Sequence, residues 1–260
     1  MTVLVHFWEH QLWRFRASFR TTILSGLVGP LVYLLGIGIG IGTQVDVDAA
    51  GLSTGRYLDF VGPGLMAAAA MQLGASEGLW VTAGALKWQG NYLSIVSTPL
   101  GIGQLFIGHT VWVGFRALVG AVAFLLVLVL FGVPTLATTV LTPFVAALTA
   151  MAFVAPISAW TGWVTSKGDS DQSFPMIFRL FILPAYLFSG AFYPIEDLPT
   201  ALTWIGRVLP VWHGVELSRG LMVDVGLTAG VAAIHLGVLL AYIALGAIAG
   251  ARTFTLALGQ

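Results

Sequence analysis

The residues with chemistry to offer are few, and most of them sit near the ends of apolar stretches. Asp59 lies about a turn inside one end of such a stretch, and Glu77 lies near its other end. Arg116 and Arg179 fall toward the ends of two further stretches, and the deep parts of all of them carry no Asp, Glu, Lys or Arg. An ionisable side chain inside a membrane is a functional candidate by default, because burying it in hydrocarbon is costly. Carriers coupled to protons or ions usually hold such a group near the bilayer midplane. The bare interior disfavours that class here, with His109 and His235 as the residues that could restore it. For both histidines a hydrogen-bonded packing role is the favoured reading. Glu77 and Arg116 can pair in the inner leaflet, either as a structural lock or as a gate.

Signatures of catalysis are missing. The chain has no HExxH for zinc, no GxSxG elbow for a serine nucleophile and no deep pair of aspartates. It has no GxxxxGK[ST] loop, so it cannot hydrolyse ATP alone, and it is not read as an enzyme. Uphill movement of a substrate would have to draw its energy from a partner. Zero cysteines exclude disulfides, thiol catalysis and thiolate metal sites, and no metal or cofactor is expected on this chain.

The elements that carry these residues are membrane elements. Of 260 residues 58% are hydrophobic and 8% charged, against about 25% charged in a soluble domain, so this is an integral membrane protein. A net charge of zero offers no basic face to nucleic acid. Residues 1–20 lack the short apolar core and AxA-like site of a signal peptide. Instead Val5, Trp8, Leu12, Phe15 and Phe19 recur at spacings of three and four, opposite a basic side with Arg14, Arg16 and Arg20. That pattern is an amphipathic helix lying at the membrane surface.

At about 20 apolar residues per crossing, one all-α membrane domain over residues 1–260 with six spans is expected: 22–41, 57–80, 105–132, 136–164, 174–192 and 227–249. The first span ends in GIGIGIG, where Gly36, Gly38, Gly40 and Gly42 form small-xxx-small pairs for close helix packing. The competing idea of a nucleotide loop fails, because GxGxxG and its flanking strand are absent. Residues 81–99 read as a short amphipathic loop helix with Leu86, Lys87, Trp88, Asn91 and Tyr92. Residues 193–222 are broken by Pro194, Pro199 and Pro210 into short pieces. They are too polar to span and too apolar to float free, which suggests a helical hairpin re-entering the leaflet. Positive charge sets the orientation. With the N-terminus inside, Arg14, Arg16, Arg20, Lys87, Lys167 and Arg252 are cytoplasmic or close to it, and Arg56, Arg207 and Arg219 lie outside. Both termini and the 81–99 helix are then cytoplasmic, and the hairpin is extracellular. Glu196, Asp197, Arg207, Glu216 and Arg219 are expected to face water or pair there, with Phe192, Trp204 and Trp212 anchoring the hairpin in the outer leaflet.

The order of these pieces resembles the ABC-2 type family of exporter membrane subunits. The segment FSGAFYPIEDLP…LPVWHGVELSRG is similar to that family's signature before its last span, through Phe188, Ser189, Gly190, Phe192, Pro194, Leu198, Pro199, Pro210, His213, Leu217, Arg219 and Gly220. Glu77 through LSIVSTPLG, with Thr98, Pro99 and Leu100, resembles the family's first cytoplasmic loop. The resemblance covers nearly the whole chain. Within the family it is strongest to the subunits of lipo-oligosaccharide (nodulation-factor) and daunorubicin-type drug exporters.

The resemblance implies a complex in a bacterial cell membrane: two ATP-binding subunits, which bind ATP and Mg, and a second membrane subunit, identical or paralogous. It makes Leu86, Lys87, Trp88, Asn91 and Tyr92 the coupling helix seated on the ATPase. It makes Phe188, Gly190, Phe192, Pro194, Pro199, Pro210, His213 and Arg219 an extracellular gate, and the span 1 glycines a subunit interface. A pathway without deep charges suits a hydrophobic or amphipathic substrate such as a drug, a lipid or a lipid-linked glycan. An ion-coupled carrier or channel, and more distantly an intramembrane enzyme, are the competing classes.

Overall fold

The computed structural model describes residues 8–9, 11–13, 15–16, 19, 28, 31–32, 34–36, 56–133, 135–168, 172–223 and 226–259. Every regular element among them is helical. The first long helix, α1, runs Tyr57–Ser76. Its start is fixed by Arg56, which donates to both Asp59 carboxylate oxygens (2.7 and 3.1 Å) and to the Gly132 carbonyl (2.6 Å). Asp59 in the first turn also complements the positive end of the helix dipole.

Beyond Ser76 the helix widens into two π-type turns, Glu77–Val81 and Gly84–Trp88. Wider turns shift the backbone ladder by one residue, so that the Glu77 carbonyl accepts from the Thr82 N–H, and hydroxyls add further bonds. Thr82 Oγ1 donates to the Glu77 carbonyl (3.0 Å) and Thr161 Oγ1 to that of Gly78 (2.8 Å). The chain therefore stays helical to Trp88 before Gly90 (φ +64°) turns it into α2, Asn91–Val96. Where one loop helix was expected over 81–99, the structure has the tail of α1, a break and a six-residue helix.

Helix α3 spans Ile102–Leu130. Its 29 residues reach about 44 Å, well beyond a hydrocarbon core of about 30 Å. A 3₁₀ turn, Ala137–Leu141, leads into α4, Thr142–Ser166. A three-part helix follows: α5 (Ser173–Ile177), a π-type turn (Phe178–Ile182) and α6 (Leu183–Leu187). After a 3₁₀ turn at Ile195–Asp197 come α7 (Thr200–Val208), α8 (Pro210–Met222) and α9 (Ala229–Leu258).

Among the described residues three helices are long and apolar enough to cross a membrane: Ile102–Leu130, Ala137–Ser166 and Ala229–Leu258. Ser173–Leu187 is apolar but shorter. Helix α1 is less apolar, with Asp59, Pro63 and Gln72, yet most of it is buried. Its neighbours are the helices α3, α4 and α8, so its sides meet protein rather than lipid. The expected span 22–41 lies largely outside the described residues, as do Gly38, Gly40 and Gly42.

Helix α4 is the centre of the bundle, packed against α1, α3, α8 and α9. Small residues bring those backbones together. Gly74 and Gly78, one turn apart on α1, lie against Ala150, Val154 and Ile157 of α4. From the other side Gly246 of α9 meets Ala155 and Pro156, where an added Cβ would stand 2.6 Å from the Pro156 nitrogen. Gly36, by contrast, meets none of the described residues where a Cβ would project.

Candidate functional site

Two groups of residues singled out by sequence lie at opposite ends of α1. Phe60 and Glu77 mark these ends, separated by 17 residues or about 26 Å of helix.

At the first end, prolines mark where the hairpin's pieces begin. Pro194 precedes the 3₁₀ turn, Pro199 flanks α7, and Pro210 opens α8, where its missing N–H costs nothing. Gly190, at φ +75°, turns the chain after α6, and a side chain there would press on Ile195 and Trp212. Tyr57 Oη donates to the Phe192 carbonyl (2.9 Å), tying the turn to the start of α1.

Arg219 fastens the assembly. Only 4% exposed, it donates to the carbonyls of Gly190 (2.8 Å) and Phe60 (3.3 Å) and to the Glu216 carboxylate (2.5 Å). Its guanidinium also stacks 3.8 Å from the Phe60 ring centroid. Burial lowers the Arg219 pKa and raises that of Glu216, and their mutual attraction opposes both shifts. Of the charges expected to face water, Glu196 and Arg207 do so while pairing at 3.2 Å. Arg219 pairs but is buried, because carbonyls from α1 and the Gly190 turn replace the water it gives up. Trp204 is 64% exposed, whereas Phe192 packs on Tyr186 and Trp212 on His213 and His235.

The two histidines join α8 to α9. His213 Nε2 lies 2.9 Å from the Arg207 carbonyl, and its Nδ1 lies 2.8 Å from His235 Nδ1. A carbonyl only accepts, so neutral His213 carries its proton on Nε2 and receives the Nδ1–H of His235. Burial lowers the pKa of His213, and the bond to Arg207 opposes that shift.

At the other end Arg116 donates to Glu77, with Glu77 the more buried partner. Beside them Thr82 Oγ1 lies 3.1 Å from Ser158 Oγ and 3.4 Å from His109 Nε2. Of the five expected coupling residues, Leu86 and Tyr92 are buried, the Tyr92 ring against Phe254 and His109. Lys87, Trp88 and Asn91 are exposed, and Trp88 (51%) is joined by Leu93 (47%), which sequence reasoning passed over. Sequence reasoning also passed over Gly74, Gly78 and Gly246, although Gly74-x-x-x-Gly78 and Gly246-x-x-x-Gly250 carry the same spacing as the chosen glycines. Among the described residues no three His, Asp or Glu side chains gather as a metal site requires.

Comparison with known proteins identifies the family described as ABC-2 type transporter, matched over residues 3–223. The chain is 28% identical over 236 residues to Nodulation protein J of Rhizobium meliloti (strain 1021), covering 90% of this chain and 86% of that one. Identity to Nodulation protein J of Rhizobium leguminosarum bv. viciae is 28% over 238 residues, 91% and 87% of the two chains. The Bradyrhizobium diazoefficiens protein of the same name is 25% identical over 240 residues, 90% and 86% of the two. No solved structure matches.

Proposed function

The chain belongs to the ABC-2 type transporter family as a membrane subunit, and from that premise we propose that it builds the membrane pathway of an ATP-driven exporter. Two copies, or one copy and a paralogue, face each other across the pathway, and two separate ATP-binding subunits bind ATP and Mg and supply the energy. The substrate is hydrophobic or amphipathic: a drug, a lipid or a lipid-linked glycan. The complex sits in a bacterial cell membrane with both termini cytoplasmic. The α7–α8 hairpin closes the extracellular exit, and Lys87, Trp88, Asn91 and Leu93 dock on the ATPase. Gly36 and the glycines after it provide the contact between membrane subunits.

The observation that carries this reading is the division of labour along α1. One end is buried beneath a hairpin pinned by Arg219. Past the other end, after the π-type turns, Trp88 and Leu93 are large apolar side chains left exposed beside Lys87 and Asn91. Aromatic and aliphatic anchors with a polar rim suit a protein interface. Copurification of the tagged chain with the products of neighbouring genes tests it. Recovery of a protein with Walker motifs, lost on replacing Trp88 and Leu93 with alanine, is expected. Recovery of the chain without any such protein would count against the reading.

A further inference from the structure

A cavity of about 660 Å³ opens beside the Glu77–Arg116 ion pair, within the range of about 300–1,000 Å³ typical of small-molecule sites. Four pieces of the chain wall it: the N-terminal segment through Phe15, the π-type tail of α1 through Glu77, the α2 segment through Gln89 and Asn91, and α3 through Trp112 and Arg116. Among the described residues, Glu77 and Arg116 are the charged members of the wall, and they sum to zero. A ligand with net charge would bring an uncompensated charge into a half-buried site. A zwitterion laid antiparallel to the pair would not, because its anion meets the guanidinium and its cation meets the carboxylate.

We propose that this cavity holds the head of a zwitterionic phospholipid of the phosphoethanolamine class. The phosphate faces Arg116, whose planar guanidinium suits phosphate oxygens. The ammonium faces Glu77 and the rings of Trp112 and Phe15, which stand edge to face at 5.9 Å. Asn91 Nδ2 donates to Gln89 Oε1 at 2.8 Å, which leaves the Gln89 amide N–H groups and the Asn91 oxygen for the head. The lipid source follows from position. Arg116 is the last charged residue of α3, and Ala117–Leu130 beyond it is apolar throughout. Trp8, Phe15, Trp112 and Phe115 form a continuous ring cluster at the same level, as aromatics do at the headgroup boundary. A head bound there ties the residues around Phe15 to α1, α2 and α3, so the bilayer itself braces the segment next to Trp88. The proposal stands independently of what the protein exports.

Native mass spectrometry of the detergent-purified chain, titrated with phosphatidylethanolamine or phosphatidylglycerol, tests it. One phosphatidylethanolamine per chain is expected to persist through delipidation, at least ten-fold better than phosphatidylglycerol. Glu77→Gln leaves Arg116 alone and should reverse that preference, while Arg116→Gln should abolish retention of both. Equal retention of the two lipids by the native chain, or an unchanged preference in Glu77→Gln, would overturn the proposal. Should either variant fail to fold, Ser94→Trp at the exposed rim fills the space without touching the ion pair and must release the lipid; undiminished retention would be equally fatal. Displacement by soluble glycerophosphoethanolamine at matching concentration would reassign the site to a free metabolite and overturn the lipid source.

Discussion

Arg219 shows how a charge becomes structural when acceptors are brought to it. It has four partners, two carbonyls, a carboxylate and a ring, and they come from α1, the Gly190 turn and its own helix. Arg219→Gln leaves Glu216 without its cation and removes the clasp, at a cost of about 3–5 kcal/mol. Lysine should recover little, since one ammonium cannot reproduce the guanidinium fork. Thermal unfolding of both variants in detergent checks this, and a native-like melting temperature for Arg219→Gln would refute it. Ser218, its neighbour, has a buried hydroxyl with no hydrogen-bond partner among the described residues. Ser218→Ala removes an unsatisfied polar atom and should leave stability unchanged or raise it by about 1 kcal/mol. The His213–His235 bond makes hairpin docking depend on pH. His213 titrates below its ordinary 6.5 when docked, so the undocked state binds more protons as the pH falls below about 6.5. Docking is then at full strength above that pH and weakens below it. Amide exchange across 200–222 at pH 7.5 and 5.5 should show faster opening at the lower pH. Glu196, Asp197, Arg207, Glu216 and Arg219 are the charges on the same hairpin, and His213→Gln separates their effect from that of the imidazole. The sequence marks Arg219 and both histidines as notable. It cannot show that they are buried, because their partners lie up to 159 positions away.

At the scale of elements, the proline-broken segment was the most legible part of the chain. Pro199 and Pro210 stand where α7 and α8 begin, because proline is tolerated at a helix start and not inside one. The tail of α1 was less legible. Its π-type turns carry added bonds from the hydroxyls of Thr82 and of Thr161 on α4, and the second of these, 83 positions away, has no local signature. The consequence for coupling is specific. Trp88→Ala with Leu93→Ala should leave the chain folded and inserted while abolishing ATP-driven transport. Tyr92→Ala, which empties a buried site beside Phe254 and His109, should instead destabilise the protein by about 3–5 kcal/mol. Comparing unfolding and transport for the two sets checks the distinction, and equal stability losses would contradict it. The glycines teach a similar lesson. Gly74, Gly78 and Gly246 join helices within this chain, while Gly38, Gly40 and Gly42 lie outside the described residues. Gly246→Val should push α9 from α4 and lower stability by about 1–3 kcal/mol.

At the scale of the whole molecule, composition alone identified a membrane protein, and the missing phosphate loop said that its energy comes from elsewhere. The three long apolar helices agree with the first point, and the family agrees with both. The less apolar Tyr57–Ser76 is explained by its place beneath protein, a fact of packing that no hydropathy profile contains. The distinctive described features then fall at the two ends of a charge-poor bundle: a clasped hairpin and the exposed segment of Trp88 and Leu93, the proposed dock. The central claim is that energy arrives at one end from a separate ATPase and substrate leaves at the other. Its most direct measurement is transport by the copurified complex in vesicles of defined lipid, with ATP and with an imposed proton gradient as alternative drives. Accumulation of an amphipathic substrate that requires ATP and its partner, disappears in Trp88→Ala Leu93→Ala, and ignores the gradient is expected. Transport by the chain alone, driven by the gradient without ATP, would contradict it.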